Sequence, residues 1–158
     1  MKVLSVRQPW ASLITAGLKT IETRSWKPNY RGDFLLCSSQ KTDDLSWLPY
    51  ETRAPILRPA TKIEFPRGQA LAVVTLTDCR PMTKADEVAA MVPYQEGLWA
   101  WQLEDVRPLK PFPVKGQLRL WEYSGRCEDC EMPNLACPVC GEPYYYWAPA
   151  KHMFEVEK

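Results

Sequence analysis

A mixed α+β barrel is the fold class that this sequence predicts, on three observations. Short apolar runs recur along the first 123 residues, bounded by glycine, proline or charged turns. Only two stretches carry helical spacing, and both are brief. The length, 158 residues, suits one domain with a usable core and a small appendage.

The run Met1-Lys2-Val3-Leu4-Ser5-Val6 reads directly as a first strand. Pro9 suits the first turn of a short helix, and Trp10, Leu13, Ile14 and Gly17 have the i, i+3, i+4, i+7 spacing of one helical face. Gly17 can take the left-handed conformation that ends that helix. The strand predicted over 20–26 then sets Glu22 and Arg24 on one face, with Ile21 and Thr23 on the other. Gly32 leads into an apolar strand, Asp33 to Ser38. Between 39 and 67 four prolines (Pro49, Pro55, Pro59 and Pro66) interrupt any regular element, so a long loop is expected. Trp47, Tyr50 and Phe65 either anchor this loop over the barrel mouth as a lid or pin an insertion to the surface. The run Ala70 to Leu76 is apolar on both faces and reads as a central strand. Thr83 is placed to cap a short helix through Met91, with Asp86 in its first turn. Leu98 to Leu103 reads as a half-buried strand, and Gly116 to Tyr123 closes the series.

Hydrophobic residues make up 46% of the chain and charged residues 25%, an ordinary globular balance. The net charge of +1 argues against a general affinity for polyanions, so any nucleic-acid contact has to be local. One segment does lean basic, with Arg7, Lys19, Arg24, Lys27 and Arg31 against Glu22 alone. No run of about 18 apolar residues is available to span a membrane, and the first strand lacks the apolar stretch of a signal peptide. The expectation is a cytoplasmic protein without membrane association, in which disulfides are disfavoured despite six cysteines. Cys37 and Cys79, in or beside strands, read as small buried apolar groups.

The block Gly17-Leu18-Lys19-Thr20-Ile21-Glu22-Thr23-Arg24 concentrates the chemistry. Lys19 sits in the turn before the charged strand, where its stem can swing to the Glu22–Arg24 side. The alternatives are a polar pocket and a solvated edge strand with an incidental ion pair. The flanks Arg7-Gln8-Pro9-Trp10 and Tyr30-Arg31-Gly32 accompany a pattern Gly-x-Lys-x-x-Glu-x-Arg on Gly17, Lys19, Glu22 and Arg24. Together these residues resemble the ASCH domain of the PUA-like superfamily, over roughly residues 2–123 and less typically between 40 and 67. The resemblance implies a PUA-like mixed β-pseudobarrel with short flanking helices, an ASCH domain over 1–123, and a separate tail over 124–158.

It also implies RNA or nucleobase binding in a cleft beside the signature. Arg7, Trp10, Lys19, Glu22, Arg24, Trp26, Tyr30 and Arg31 are the candidate ligand-binding residues. Lys19 and Arg24 can meet phosphate or carbonyl oxygens, Glu22 can accept from an exocyclic amine, and Trp10, Trp26 or Tyr30 can stack a base. One bacterial branch of the family hydrolyses the acetyl amide of acetylated cytidine, with a threonine where this chain has Glu22. Catalysis here would fall to Lys19 as a base, with Glu22 or Glu96 as acid or orienter. A carboxylate beside Lys19 is expected to raise its pKa, which works against that role. The partners expected are RNA, a nucleotide or a modified nucleoside.

In the tail, Cys127-x-x-Cys130 and Cys137-x-x-Cys140 form two paired turns separated by six residues. Four thiolates complete the tetrahedral set of a structural zinc, one per chain, and leave no open position for hydrolytic chemistry. The alternative is reduced, unligated thiols. Tyr144-Tyr145-Tyr146-Trp147 would pack this zinc lobe onto the barrel or stack unpaired bases. A protein-interaction adaptor that docks its partner through the zinc lobe is the third functional class.

Overall fold

The computed structural model describes residues 1–57 and 63–123. The four tail cysteines and the tyrosine run therefore lie outside the described residues. The chain runs β1 (Lys2–Gln8), α1 (Trp10–Thr15), β2 (Ile21–Arg24), β3 (Gly32–Thr42), α2 (Tyr50–Leu57), β4 (Gln69–Pro81), a 3₁₀ turn (Lys84–Asp86), α3 (Glu87–Ala90), β5 (Trp99–Pro113) and β6 (Leu120–Glu122). The six strands make one mixed sheet in the order β2-β5-β4-β3-β1-β6. Among the described residues only β1 and β3 pair in parallel; every other neighbouring pair is antiparallel.

Alternation along the strands sorts side chains into two cores. Leu4, Val6, Phe34, Leu36, Val74 and Leu76 join Trp10, Leu13 and Ile14 of α1 on one face. Val3, Leu35, Cys37 and Val73 fill a smaller cluster on the other. Each large side chain buried in this way contributes about 1.5–3 kcal/mol. Cys37 and Cys79 are free and buried, as expected, and burial pushes the Cys37 thiol up to about 12.

The sheet is strongly curled. β2 and β1 are four strand spacings apart in the sheet order, about 19 Å if the sheet were flat. Instead the Arg24 side chain on β2 donates through Nη2 to the Ser5 carbonyl on β1, at 3.1 Å. Three register shifts between β4 and β5 supply the bending, as bulges do. Among the described residues no ladder joins β2 to β6, so closure at this seam rests on side chains.

Two elements differ from expectation. β5 runs to Pro113 rather than ending near Leu103. Its prolines mask it in the sequence; they are tolerated because β2 pairs only with residues 99–102, leaving one edge of the later stretch free. The expected long loop contains α2, and it is held by Leu45, Leu48, Ile56 and Ile63 rather than by its aromatics. Trp47 and Tyr50 remain 58% and 65% exposed.

The helical segment after β4 is fastened by Asp86. Its carboxylate accepts from Thr83 N at 2.8 Å and Thr83 Oγ1 at 2.9 Å, and from Arg80 Nη1 and Nη2 at 2.7 and 2.6 Å. The Arg80 bonds, ahead of those from Thr83, hold the Asp86 carboxyl well below the usual carboxylate range. A folded-state pKa below the unfolded one adds stability that is present above the ordinary value of 3.8 and lost as pH falls through that window. Asp86→Asn is expected to cost about 2 kcal/mol at neutral pH and to flatten the acid limb of stability below about pH 4. Urea melts of both proteins between pH 3 and 7 check this, and parallel curves at every pH would refute it.

Candidate functional site

The signature glycine acts through its backbone. Gly17 has φ +72°, and a Cβ there would meet nothing within 4 Å, so conformation rather than space calls for glycine. The reversal lets Leu18 N and Lys19 N both donate to the Leu13 carbonyl, at 2.9 and 3.1 Å. The chain then enters β2 against β5, with Glu22 opposite Trp101 and Arg24 opposite Trp99.

This turn drives Lys19 inward. Lys19 is 2% exposed and Glu22 6%, so the pair is not part of a solvated edge. Lys19 Nζ donates to the Ala90 carbonyl at the end of α3, at 2.5 Å, and lies 3.6 Å from Glu22 Oε2. It also stands 5.3 Å from the centre of the Trp10 ring, within cation–π range. Arg24 Nε lies 3.0 Å from Glu22 Oε1, an ionic contact without the alignment of a hydrogen bond. One carboxylate therefore sits between two cations on a buried floor. Burial lowers the Lys19 pKa below the ordinary lysine value, with Glu22 opposing that shift and Arg24 adding to it. Glu22 raises it, as expected, but the loss of water outweighs that pull, so the net direction is downward.

Above this floor opens a cleft of about 1000 Å³. Arg7, Trp10, Lys19, Glu22 and Arg24 line it, so five of the eight expected ligand-binding residues converge. The other three lie elsewhere. Trp26 packs edge-on against Trp101, ring centres 4.7 Å apart, and accepts from Trp101 Nε1 on its carbonyl. The Tyr30 hydroxyl donates to the Asp33 carbonyl. Arg31 donates to the carbonyls of Tyr30 and Cys79 and pairs with Asp78 at 3.5 Å. Glu96 is exposed and does not line the cleft.

Sequence reasoning missed Asp43, which knits the near wall. It pairs with Arg7 Nη1 at 2.7 Å and accepts from Trp10 Nε1 at 2.8 Å, while its own N–H donates to the Gln8 carbonyl. Lys41, Lys115 and Arg119, also unforeseen, bring the lining among the described residues to six cations against Glu22 and Asp43. The cleft is thus strongly basic in a chain of net charge +1. Thr23 lines it too, despite its opposite strand parity to Glu22.

Among the described residues no helix is long and apolar enough to cross a membrane. The ASCH domain family model matches residues 4–113. Activating signal cointegrator 1 of Homo sapiens and of Mus musculus are each 26% identical over 129 residues, covering 78% of this chain. The chain spans only 22% of the length of those relatives. A crystal structure of ASCH from Zymomonas mobilis matches 72% of this chain and 73% of its own, at 16% identity and a TM-score of 0.47. A mutant of the same protein matches with a TM-score of 0.45 at 15% identity, over 72% of this chain and 75% of its own. With well over half of its residues matched by that family model, the chain belongs to the ASCH domain family.

Proposed function

We propose that the cleft binds RNA or a nucleobase-containing ligand, with Glu22 and Arg24 reading a base edge and the outer cations meeting phosphates. The observation that carries this reading is the charge of the lining, six cations against two carboxylates among the described residues, in a nearly neutral chain. Glu22 keeps acceptor capacity beyond its two cation contacts, because a carboxylate offers about four lone-pair sites. Lys41 and Lys115 are exposed and make no ion pair among the described residues, so they are available to phosphates.

Single-stranded RNA binding is expected to weaken with salt, with a slope of about −0.7 per phosphate contacted. Lys115→Ala should make that slope shallower by about the same amount. Fluorescence anisotropy titrations across a salt series check both. No binding of varied RNAs at low salt would count against RNA and leave free nucleosides as the ligand class.

The lowered pKa of Lys19 supports a second reading, hydrolysis of an acylated nucleoside amide with Lys19 as base. Two features weigh against it: the amine is engaged by Ala90 and Glu22, and Glu22 stands where the hydrolytic branch has threonine. Chromatography of acetylcytidine incubated with the wild-type chain is expected to show no cytidine release. Turnover by the wild-type chain that is abolished in Lys19→Met, with that variant still folded by circular dichroism, would reverse the order of the two readings. A third reading, a protein-interaction adaptor, predicts partner capture that survives removal of the cleft charges.

For the tail, the paired spacing of Cys127, Cys130, Cys137 and Cys140 supports one structural zinc per chain. Elemental analysis of freshly reduced protein is expected to find about one zinc per chain, and metal-free protein would remove the proposal.

A further inference from the structure

A lone exposed aromatic is ordinary on a protein surface, but Trp47 is held out by a fastened turn. Leu45 and Leu48 are 7% and 3% exposed and plug the core on either side of it, with Leu48 N donating to the Leu45 carbonyl at 3.0 Å. Ser46 donates to Asp44 through both N and Oγ, at 2.9 and 2.7 Å. Arg53 Nη1 donates to the Ser46 carbonyl at 3.2 Å. Before the turn, Asp43 is tied to Arg7 and Trp10. Of the apolar side chains in this turn, two point inward and the indole alone stays 58% exposed, on the lining of the cleft.

With its backbone already ordered by the turn, a solvated indole has only its two side-chain torsions to lose when a flat partner covers it. Arg7 and Lys41 line the same cleft. An aromatic face beside cations is the combination that single-stranded nucleic acids engage, the ring taking a base and the cations the backbone. The volume, about 1000 Å³, stands at the upper end of small-molecule sites and leaves room for more than one nucleotide.

We propose that Trp47 is a stacking platform for one base of a single-stranded RNA whose backbone follows Arg7, Lys41 and Lys115. The cleft then takes a strand in preference to a free nucleoside. This inference rests on the nucleic-acid reading of the cleft and adds a preference for a strand over a free nucleoside and a contact residue outside the signature.

The test is an anisotropy titration of the full chain with a short labelled single-stranded RNA, repeated with Trp47→Ala and Trp47→Phe. Unlabelled duplex RNA and free nucleosides serve as competitors. Trp47→Ala is expected to weaken binding by about 10- to 100-fold, the range for losing one stacked base, and Trp47→Phe to recover most of it. The salt slope should be the same in all three proteins, because stacking releases no counterions. Duplex and nucleosides should compete poorly. Equal affinity of Trp47→Ala and wild type, with matching melting curves, overturns the stacking role and leaves the cleft reading standing. Free nucleosides competing as well as the strand overturn the strand preference in the same way. Absence of RNA binding by the wild-type chain overturns both.

Discussion

Lys19→Ala is expected to destabilise the domain by about 3–5 kcal/mol, the range for removing one partner of a buried ion pair. For a domain of this size that corresponds to a fall in melting temperature on the order of 10–20 °C. Three losses combine. Glu22 keeps only the half-buried Arg24 as counter-charge, the Ala90 carbonyl loses its 2.5 Å donor, and the emptied stem leaves a cavity beneath Trp10. Lys19→Met keeps the stem's packing and should cost clearly less than Lys19→Ala. Denaturant melts followed by circular dichroism check the order. A Lys19→Ala midpoint within a degree or two of wild type would show that the buried floor is not a structural tie. The pH dependence has a definite sign. The folded-state pKa of Lys19 lies below 10.5, so between those two values the unfolded chain holds more protons and stability rises with pH. Lys19→Met removes that contribution from the alkaline limb.

The parts of the fold that were legible in the sequence are those where local chemistry and tertiary packing agree. Gly17 ends α1 because the chain needs a positive φ there, and the i, i+3, i+4 spacing of Trp10, Leu13 and Ile14 does mark the buried face. The central position of β4 follows from its apolar character on both faces. The second half of β5 was hidden by Pro108, Pro111 and Pro113, whose tolerance depends on how short β2 is. That is a fact of topology, which no local pattern carries. α2 was hidden in the same way by Pro55.

In the site, strand parity put Glu22 and Arg24 together, and the turn brought Lys19 to them. Depth was not legible. Alternation says which side a residue faces, not whether that side has water, so the direction of the Lys19 pKa was read from its charged neighbour and came out reversed. Trp26 was placed with the ligand because aromatic composition does not distinguish a stacking face from a core edge; its partner, Trp101, lies 75 positions away. Asp43 carried no signal, because its role arises only where the end of β3 returns beside Gln8.

Replacing both members of the buried pair separates folding from recognition. In Lys19→Met with Glu22→Leu no carboxylate is left beneath the cleft and no amine lacks its counter-charge. Buried ion pairs exchanged for apolar side chains of similar volume are often neutral or stabilising by about 1–4 kcal/mol. Arg24 loses its Glu22 contact, but its side chain is 26% exposed and its bond to the Ser5 carbonyl is untouched. The double variant should therefore be more stable than Lys19→Met alone, which strands Glu22, and more stable than Glu22→Leu alone, which strands Lys19. Affinity should move the other way. Without Glu22 the floor has no acceptor for an exocyclic amine, and leaving a base-edge donor unpaired in a desolvated site costs about 1–3 kcal/mol, roughly 5- to 150-fold in RNA affinity. Lys41 and Lys115 are untouched, so the salt slope should match wild type. Melting and binding measured on the four proteins of this cycle give both couplings. A double variant that regains stability and also binds RNA at wild-type strength would place recognition wholly on the rim and remove Glu22 from the binding site.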